Sequence, residues 1–158
     1  MLTKCTVSRR PARPADLAYQ RALFAESADE LLLLPADVRL SVIEMRYRAH
    51  RHHLADDHPQ ATSEIIVADG TDAGLVVLDS SADEVEVVDL VVSRRHRHHG
   101  VASAVLADVL ADAGPRTVTA RLGTNDLASR RFFEQFGFTA VDDPAGTVMM
   151  THPAARAS

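Results

Sequence analysis

The chain has 158 residues, of which 46% are hydrophobic, and its 22 acidic and 17 basic side chains give a formal net charge of −5 at pH 7. These values are typical of one soluble globular domain with a real core, so we expect a single cytoplasmic domain over residues 1–158. No apolar run is long enough to span a bilayer, the N-terminus lacks the features of a secretory signal, and the only cysteine, Cys5, excludes an intramolecular disulfide and a cysteine-based zinc cluster.

The first sixty residues are predicted to be mainly helical. A weakly alternating stretch predicts a strand over residues 2–8, and Asp16 can cap a helix that runs to about Phe24. The proline that ends "ADELLLLP" (residues 28–35) predicts a short helical turn before a break. A longer helix is predicted over residues 36–54, with apolar side chains at helical spacing at Val38, Val42, Met45 and Ala49.

The middle of the chain changes to β-branched runs. "SEIIVAD" (63–69) and "GLVVLDS" (74–80), separated by "GTDA", predict a hairpin. "EVEVVDLVV" (84–92) alternates at first and is then apolar on both faces, which indicates a central strand.

The last sixty residues alternate helices with strands. Residues 101–113 predict a helix that Gly114 and Pro115 stop, and residues 126–136 predict a second helix, capped by Gly137. Strands are predicted over residues 117–122, 138–141 and 147–152. In the second helix, Ala128, Phe132 and Phe136 are expected to face inward. The order of the elements implies a mixed α/β sheet.

A basic segment, residues 94–99, joins the strand over 84–92 to the helix over 101–113. A helix N-terminus favours an anion, because its first amides are unpaired. Gly100 lets the backbone approach a ligand closely, and the small Ala102 and Ser103 leave space. With Arg97, His98 and His99 supplying donors, the segment suits a phosphate or pyrophosphate; a solvated basic turn is the alternative.

Other classes of phosphate and nucleic-acid site fit this segment less well. The sequence contains neither a G-x-x-x-x-G-K-[ST] loop nor a G-x-G-x-x-G motif. The negative net charge and the lack of aromatic residues among the basic ones argue against a nucleic-acid partner, including a tRNA acceptor.

"VVSRRHRHHGVASAVLADVL" resembles the signature of the GCN5-related N-acetyltransferases (GNAT), with Arg97, Gly100 and Ala102 in the signature positions. "DLASRRFFEQFGF" is similar to the later helix of that superfamily, and the likeness covers nearly the whole chain. It implies a mixed, mostly antiparallel central sheet flanked by helices, with acetyl-coenzyme A as co-substrate. The resemblance places the following residues at the cofactor: Leu90, Val91, Val92, Arg97, His98, His99, Gly100, Val101, Ala102, Ser103, Asn125 and Phe133.

The N-terminal half is similar to a less characterised bacterial subgroup of the superfamily. "ELLLLP" precedes a helix of the subgroup's type, and Asp89 stands where the subgroup has an aspartate in its central strand. The chain departs from the subgroup at Arg46 and His50, where glutamines are common, and at Leu54, where an aromatic residue is common.

Glu86 and Asp89 are the candidate bases for removing a proton from an amine acceptor. They are three positions apart, so in a regular strand their side chains point to opposite faces and only one of them faces the substrate. A bulge between them would turn both to the same face. The resemblance matches Glu86 to the base of several relatives. It also implies that a backbone amide at Val91 or Val92 stabilises the carbonyl oxygen. Either carboxylate can instead be a solvated surface group.

The general acid is missing from its usual place. Many relatives carry a tyrosine where this chain has Phe133, and a phenyl ring cannot donate a proton. Two functions therefore stay open. One is an N-acetyltransferase that acts on a primary amine of a small molecule or peptide by direct attack in a ternary complex. The other is a non-catalytic acyl-coenzyme A binding module. The sequence does not identify the acceptor, and it leaves a homodimer open.

Histidines gather at the end of the helix over residues 36–54. His50, His52, His53 and His58 lie near Asp56 and Asp57 in sequence. His50 and His53 can share a helix face, but no third ligand follows at a firm spacing, so we expect no metal site there. His50 or His53 can instead border the acceptor cleft.

Overall fold

The computed structural model describes residues 5–153, and within them seven strands form one sheet in the order β1-β2-β3-β4-β5-β7-β6. The strands are β1 (Val7–Pro11), β2 (Thr62–Ala68), β3 (Thr71–Ser80), β4 (Glu84–Val92), β5 (Thr117–Gly123), β6 (Thr139–Asp143) and β7 (Thr147–His152). The helices are α1 (Leu17–Glu26), α2 (Ala36–Asp57), α3 (Val101–Ala113) and α4 (Leu127–Glu134), with 3-10 turns at Pro14–Asp16, Asp29–Leu31 and Arg94–His96. Neighbouring strands are antiparallel except β4 and β5, which confirms the predicted mixed, mostly antiparallel sheet.

The predicted order of elements is confirmed, with shifts at the boundaries. Within the described residues the first strand begins at Val7, and residues 2–4 of that prediction lie outside the described part of the chain. The helical turn predicted over residues 28–35 is reduced to Asp29–Leu31. Residues 5–153 contain no helix that is both long enough and apolar enough to cross a bilayer.

The main hydrophobic core lies between the sheet and α3 with α4. Side chains of α3 such as Val105 and Leu106 are fully buried against Val85 and Val87 of β4. Side chains alternate across a strand, so Glu86 between those two valines points to the opposite face, where α1 and α2 lie.

The inward face of α2 differs from the prediction. Val38 and Met45 are 43% and 64% exposed, whereas Tyr47 is buried, and the half-buried Leu54 follows two turns later. Tyr47 packs edge-on against Phe24 of α1, with ring centroids 5.4 Å apart. The aromatic contact, rather than the stripe of aliphatic residues, therefore orients the helix.

The inward face of α4 also differs. Ala128 is exposed, and Phe133 is the buried residue, while Phe132 and Phe136 are only half-buried. After the turn at Gly137 the backbone N–H of Phe138 donates to the carbonyl of Phe133, which brings the two rings to a centroid distance of 5.1 Å. The turn after α4 therefore determines that the Phe133 side of this helix is buried.

Candidate active site

The sheet opens between β4 and β5. Their parallel pairing covers only Glu84–Val87 of β4, whereas the pairing of β4 with β3 continues to Val92. Past Ala120, the partner of Val87, β5 pairs only with β7 among the described strands. Val91 and Val92 are consequently only half-buried, although the sequence predicts a central strand there. We call the gap beside residues 88–92 the splay.

The backbone of Val92 points into the splay. Ser93 donates its N–H to the carbonyl of Ala73, next to the pair Val92 and Gly74. Because bonding directions alternate along an antiparallel ladder, Val91 bonds toward β3, and Val92 turns its N–H and C=O the other way. The Arg97 side chain reaches this edge, since its Nε donates to the Val92 carbonyl at 3.2 Å.

The turn before α3 forms an open cradle. His98 and Gly100 have left-handed backbone conformations, with φ of 66° and 76°. A Cβ built on Gly100 would meet no atom within 4 Å, so the space above this glycine is free. The first-turn amides of α3 at Val101, Ala102 and Ser103 have no partner within the helix. The Val101 side chain itself is buried, so only its backbone can face a ligand.

Arg94 ties the basic segment to the N-terminal part of the fold. The backbone N–H of Arg94 donates to the Glu26 carboxylate at 2.9 Å, and its guanidinium binds Asp29. These contacts anchor the turn to the end of α1. His98 and His99 are exposed, and Arg97 is half-buried at the splay, so these three residues remain near the cradle.

A β-bulge turns both candidate carboxylates to the same face. Val77 of β3 pairs with Asp89, and Leu78 pairs with Val87, so Val88 has no opposite residue. The extra residue reverses the alternation after it. Glu86 and Asp89 therefore both face α2.

Two histidines of α2 and its C-terminal end meet these carboxylates. His50 Nε2 lies 2.8 Å from Asp89 Oδ2. His58 lies between two carboxylates, with its Nδ1 2.8 Å from Asp79 Oδ2 and its Nε2 3.3 Å from Glu86 Oε2. The hydrogen bond to Asp89 raises the pKa of His50, against a smaller opposing effect of burial.

Sequence reasoning did not find the role of Asp79 or the pairing of His58. These contacts join residues 21 and 28 positions apart, on different elements, and no local spacing signals them. In the described part of the chain no group of three or more His, Cys, Asp or Glu residues is arranged to hold a metal ion.

Two cavities adjoin the carboxylates. The first, which we call the apolar cavity, has a volume of about 470 Å³ and lies between α1, α2 and the sheet. Its apolar walls include Leu23, Phe24, Tyr47, Leu54, Leu75 and Val77. The second, the polar cleft, has a volume of about 700 Å³ and includes Asp56, Asp57, Glu86 and Arg121. Both cavities contain His50, His58 and Asp89 in their walls.

A family model described as "Acetyltransferase (GNAT) family" matches residues 25–138. The chain belongs to this family. The match confirms the resemblance found in the sequence, and it identifies the protein as an acetyltransferase in general terms while leaving the acceptor open.

Solved structures share the GNAT fold of this chain at low sequence identity. The PaiA N-acetyltransferase of Thermoplasma acidophilum, in complex with coenzyme A, aligns with a TM-score of 0.69 and 15% identity over 94% of this chain and 99% of its own. An acetyltransferase of Thermus thermophilus aligns with a TM-score of 0.68 and 17% identity over 94% and 97%. The ribosomal-protein-S18-alanine N-acetyltransferase of Escherichia coli aligns with a TM-score of 0.65 and 14% identity over 97% of both chains. No curated protein sequence matches the chain significantly.

The later signature helix of this GNAT protein has an unusual start. Asp126 caps α4, because its Oδ1 accepts the N–H of Ser129 at 3.1 Å, while Asn125 is exposed in the preceding loop. The displaced asparagine thus leaves the cap to an aspartate. Phe133, in the place of the usual tyrosine, is 5% exposed and has no polar atom on its side chain.

Proposed function

We propose that this GNAT protein transfers the acetyl group of acetyl-coenzyme A to a primary amine of a small molecule or peptide, by direct attack in a ternary complex. The observation that carries the proposal is the meeting of three features around β4: the splay, the cradle before α3, and two carboxylates on one face. Such a site can hold an anionic pyrophosphate, an extended arm and an amine at the same time.

The cradle and the splay would hold acetyl-coenzyme A. The amides of Val101, Ala102 and Ser103, with Arg97 beside them, suit the pyrophosphate, and Gly100 leaves space for it. The open edge of β4 in the splay suits the pantetheine arm, and the Val92 N–H is the donor we assign to the thioester carbonyl oxygen. This choice rests on the direction of the Val92 backbone; the N–H of Val91 is used within the sheet.

Glu86 is the base that we assign. The amine nitrogen forms the new N–C bond, the C–S bond breaks, the amine proton passes to a carboxylate directly or through water, and coenzyme A leaves as a thiol or thiolate. Asp89 is bound to His50 at 2.8 Å, whereas the contact of Glu86 with His58 is longer, at 3.3 Å. Glu86 is therefore the freer of the two to accept a proton.

A non-catalytic acyl-coenzyme A binding module is the second candidate. Phe133 favours it, because its buried phenyl ring offers no acid to the leaving thiolate. A thiol with an ordinary pKa of about 8.5 can leave as its thiolate without a dedicated acid. Slow catalysis is therefore compatible with Phe133, and the N-acetyltransferase remains the first candidate.

Thiol release separates the two candidates. The full chain is incubated with acetyl-coenzyme A and a panel of primary amines; free thiol is followed by absorbance, and each acetylated amine by mass. We expect slow release that depends on the amine, with one acetylated amine formed for each thiol. Stabilisation by acetyl-coenzyme A without release for any amine would identify a binding module instead.

A further inference from the structure

We propose that the acceptor is a small monoamine with an apolar, uncharged body, which places its amine beside Asp89 and its body in the apolar cavity. The proposal deepens the proposed N-acetyltransferase function and rests on it. The cavity volume of about 470 Å³ is in the range of small-molecule sites, and Asp89 belongs to its wall.

The floor of the cavity links the amine position to an apolar surface. Ser63, Val77 and Asp89 are direct neighbours across β2, β3 and β4, so their side chains share one face of the sheet. Strands lie about 4.8 Å apart, which puts Ser63 roughly 10 Å from Asp89. An acceptor with its nitrogen at Asp89 would extend over Val77 toward Ser63, away from the polar cleft.

The roof of the cavity is aromatic and aliphatic. Phe24 stands between Tyr47 and His50, with ring centroids 5.4 Å and 5.5 Å away. Leu23 and Leu54 complete this side. Burial of a hydrocarbon body between this roof and Val77 is favourable by the hydrophobic effect.

Charge is unevenly distributed around the cavity. Asp89 is the carboxylate in its wall, and Glu86 lies beyond it in the polar cleft. In the part of the chain that the structure describes, Arg51 is the one fixed cation lining the cavity, and it lies over the Tyr47 ring at 5.9 Å. A second ammonium group would meet no further carboxylate among the described residues that line the cavity, so a polyamine is disfavoured there, and the carboxylate of an amino acid would lie near Asp89.

Four amines with related head groups test the class: phenethylamine, ethylamine, phenylalanine and spermidine, each assayed with the full chain and acetyl-coenzyme A. We expect kcat/KM for phenethylamine to exceed that of each of the others by about 10-fold or more, because each buried methylene group contributes to discrimination. Equal rates for ethylamine, or a preference for spermidine, would overturn the proposed class while leaving the N-acetyltransferase function standing. A preference for phenylalanine would also overturn it and would make Arg51 a carboxylate anchor. An absence of release with every amine would refute the proposed function itself.

A matched pair of substitutions tests the location. Ser63→Leu adds bulk on the cavity floor, whereas Thr62→Leu adds the same bulk at the exposed neighbour, which points to the other face of β2. We expect Ser63→Leu to lower kcat/KM for phenethylamine by about 10-fold and to change that for ethylamine by no more than about 2-fold. Thr62→Leu should leave both values unchanged. Equal losses for both amines in Ser63→Leu, or no loss for either, would show that the body lies elsewhere.

Discussion

Glu86 and Asp89 differ in how tightly each is bound to a histidine. Asp89 lies 2.8 Å from His50, and Glu86 lies 3.3 Å from His58. We therefore expect Glu86→Gln to lower kcat/KM by about 10²-fold, mainly at low pH, where the amine is still protonated and a base matters most. Asp89→Asn should lower kcat less and act mainly by raising KM, because we place Asp89 beside the amine of the bound acceptor rather than as the base.

The pH–rate profiles of both variants, recorded with one amine, check this assignment. The thermal shift caused by acetyl-coenzyme A serves as the control for an intact fold and cofactor site. If Asp89→Asn proves the more damaging change and Glu86→Gln is silent, the two roles are exchanged.

Phe133 is the residue whose chemistry separates enzyme from binding module. Its ring packs against those of Phe132 and Phe138, at centroid distances of 5.3 Å and 5.1 Å. We expect the wild type to turn over slowly, and Phe133→Tyr to raise the rate or to leave it nearly unchanged. A hydroxyl placed there without a partner would lower stability by about 1–3 kcal/mol, so unfolding is measured beside thiol release. A silent wild type whose release is restored by Phe133→Tyr would mean that the natural protein binds without catalysing.

At the scale of the element, binding of acetyl-coenzyme A by the turn before α3 is expected to depend on Gly100. Gly100→Leu should abolish the rise in melting temperature caused by acetyl-coenzyme A, because the side chain would fill the open space of the cradle. The folded chain should persist, since a Cβ at this position meets no atom within 4 Å.

Gly70 provides the matched control for Gly100. It has φ of 80°, against 76° for Gly100, and its surroundings are equally open, but it lies in the turn between β2 and β3. Gly70→Leu imposes a comparable backbone strain and should keep the full ligand shift. A ligand shift that survives in Gly100→Leu would refute the cradle as the cofactor site.

At the scale of the whole molecule, the His50–Asp89 pair joins the layer of α1 and α2 to the sheet. The hydrogen bond from Asp89 raises the pKa of His50 above its ordinary value. A raised pKa in the folded state gives stability that is fully present below the ordinary value of about 6.5 and is lost as the pH rises through the folded value.

The variant His50→Gln isolates this contribution, because an amide can still bond Asp89 but carries no charge. We expect the wild type to exceed the variant in stability by more at pH 5.5 than at pH 8.5. The imidazole is about one-third exposed, so the difference should stay below about 1 kcal/mol. Melting curves of both proteins across this pH range provide the check, and a difference that grows with pH would contradict the assignment.

The amino-acid sequence alone determined the family, the mixed sheet and the order of its elements. These features rest on local patterns: β-branched runs in β2 and β3, the helix that Gly114 and Pro115 end, and the glycine in the turn before α3. Each pattern acts within a few residues, so it can be recognised without knowledge of the rest of the fold. The family match to residues 25–138 agrees with them.

Only the tertiary structure decided how these elements form a site. The bulge at Val88 arises because Val77 and Leu78 of β3 pair with Asp89 and Val87, and it turns Glu86 and Asp89 to one face. Likewise, the buried face of α2 depends on Phe24, and the partners of His58 come from two strands. The physical reason is common to all of these features: each is fixed by packing or hydrogen bonding between residues distant in sequence, and such contacts override the local preference of the chain.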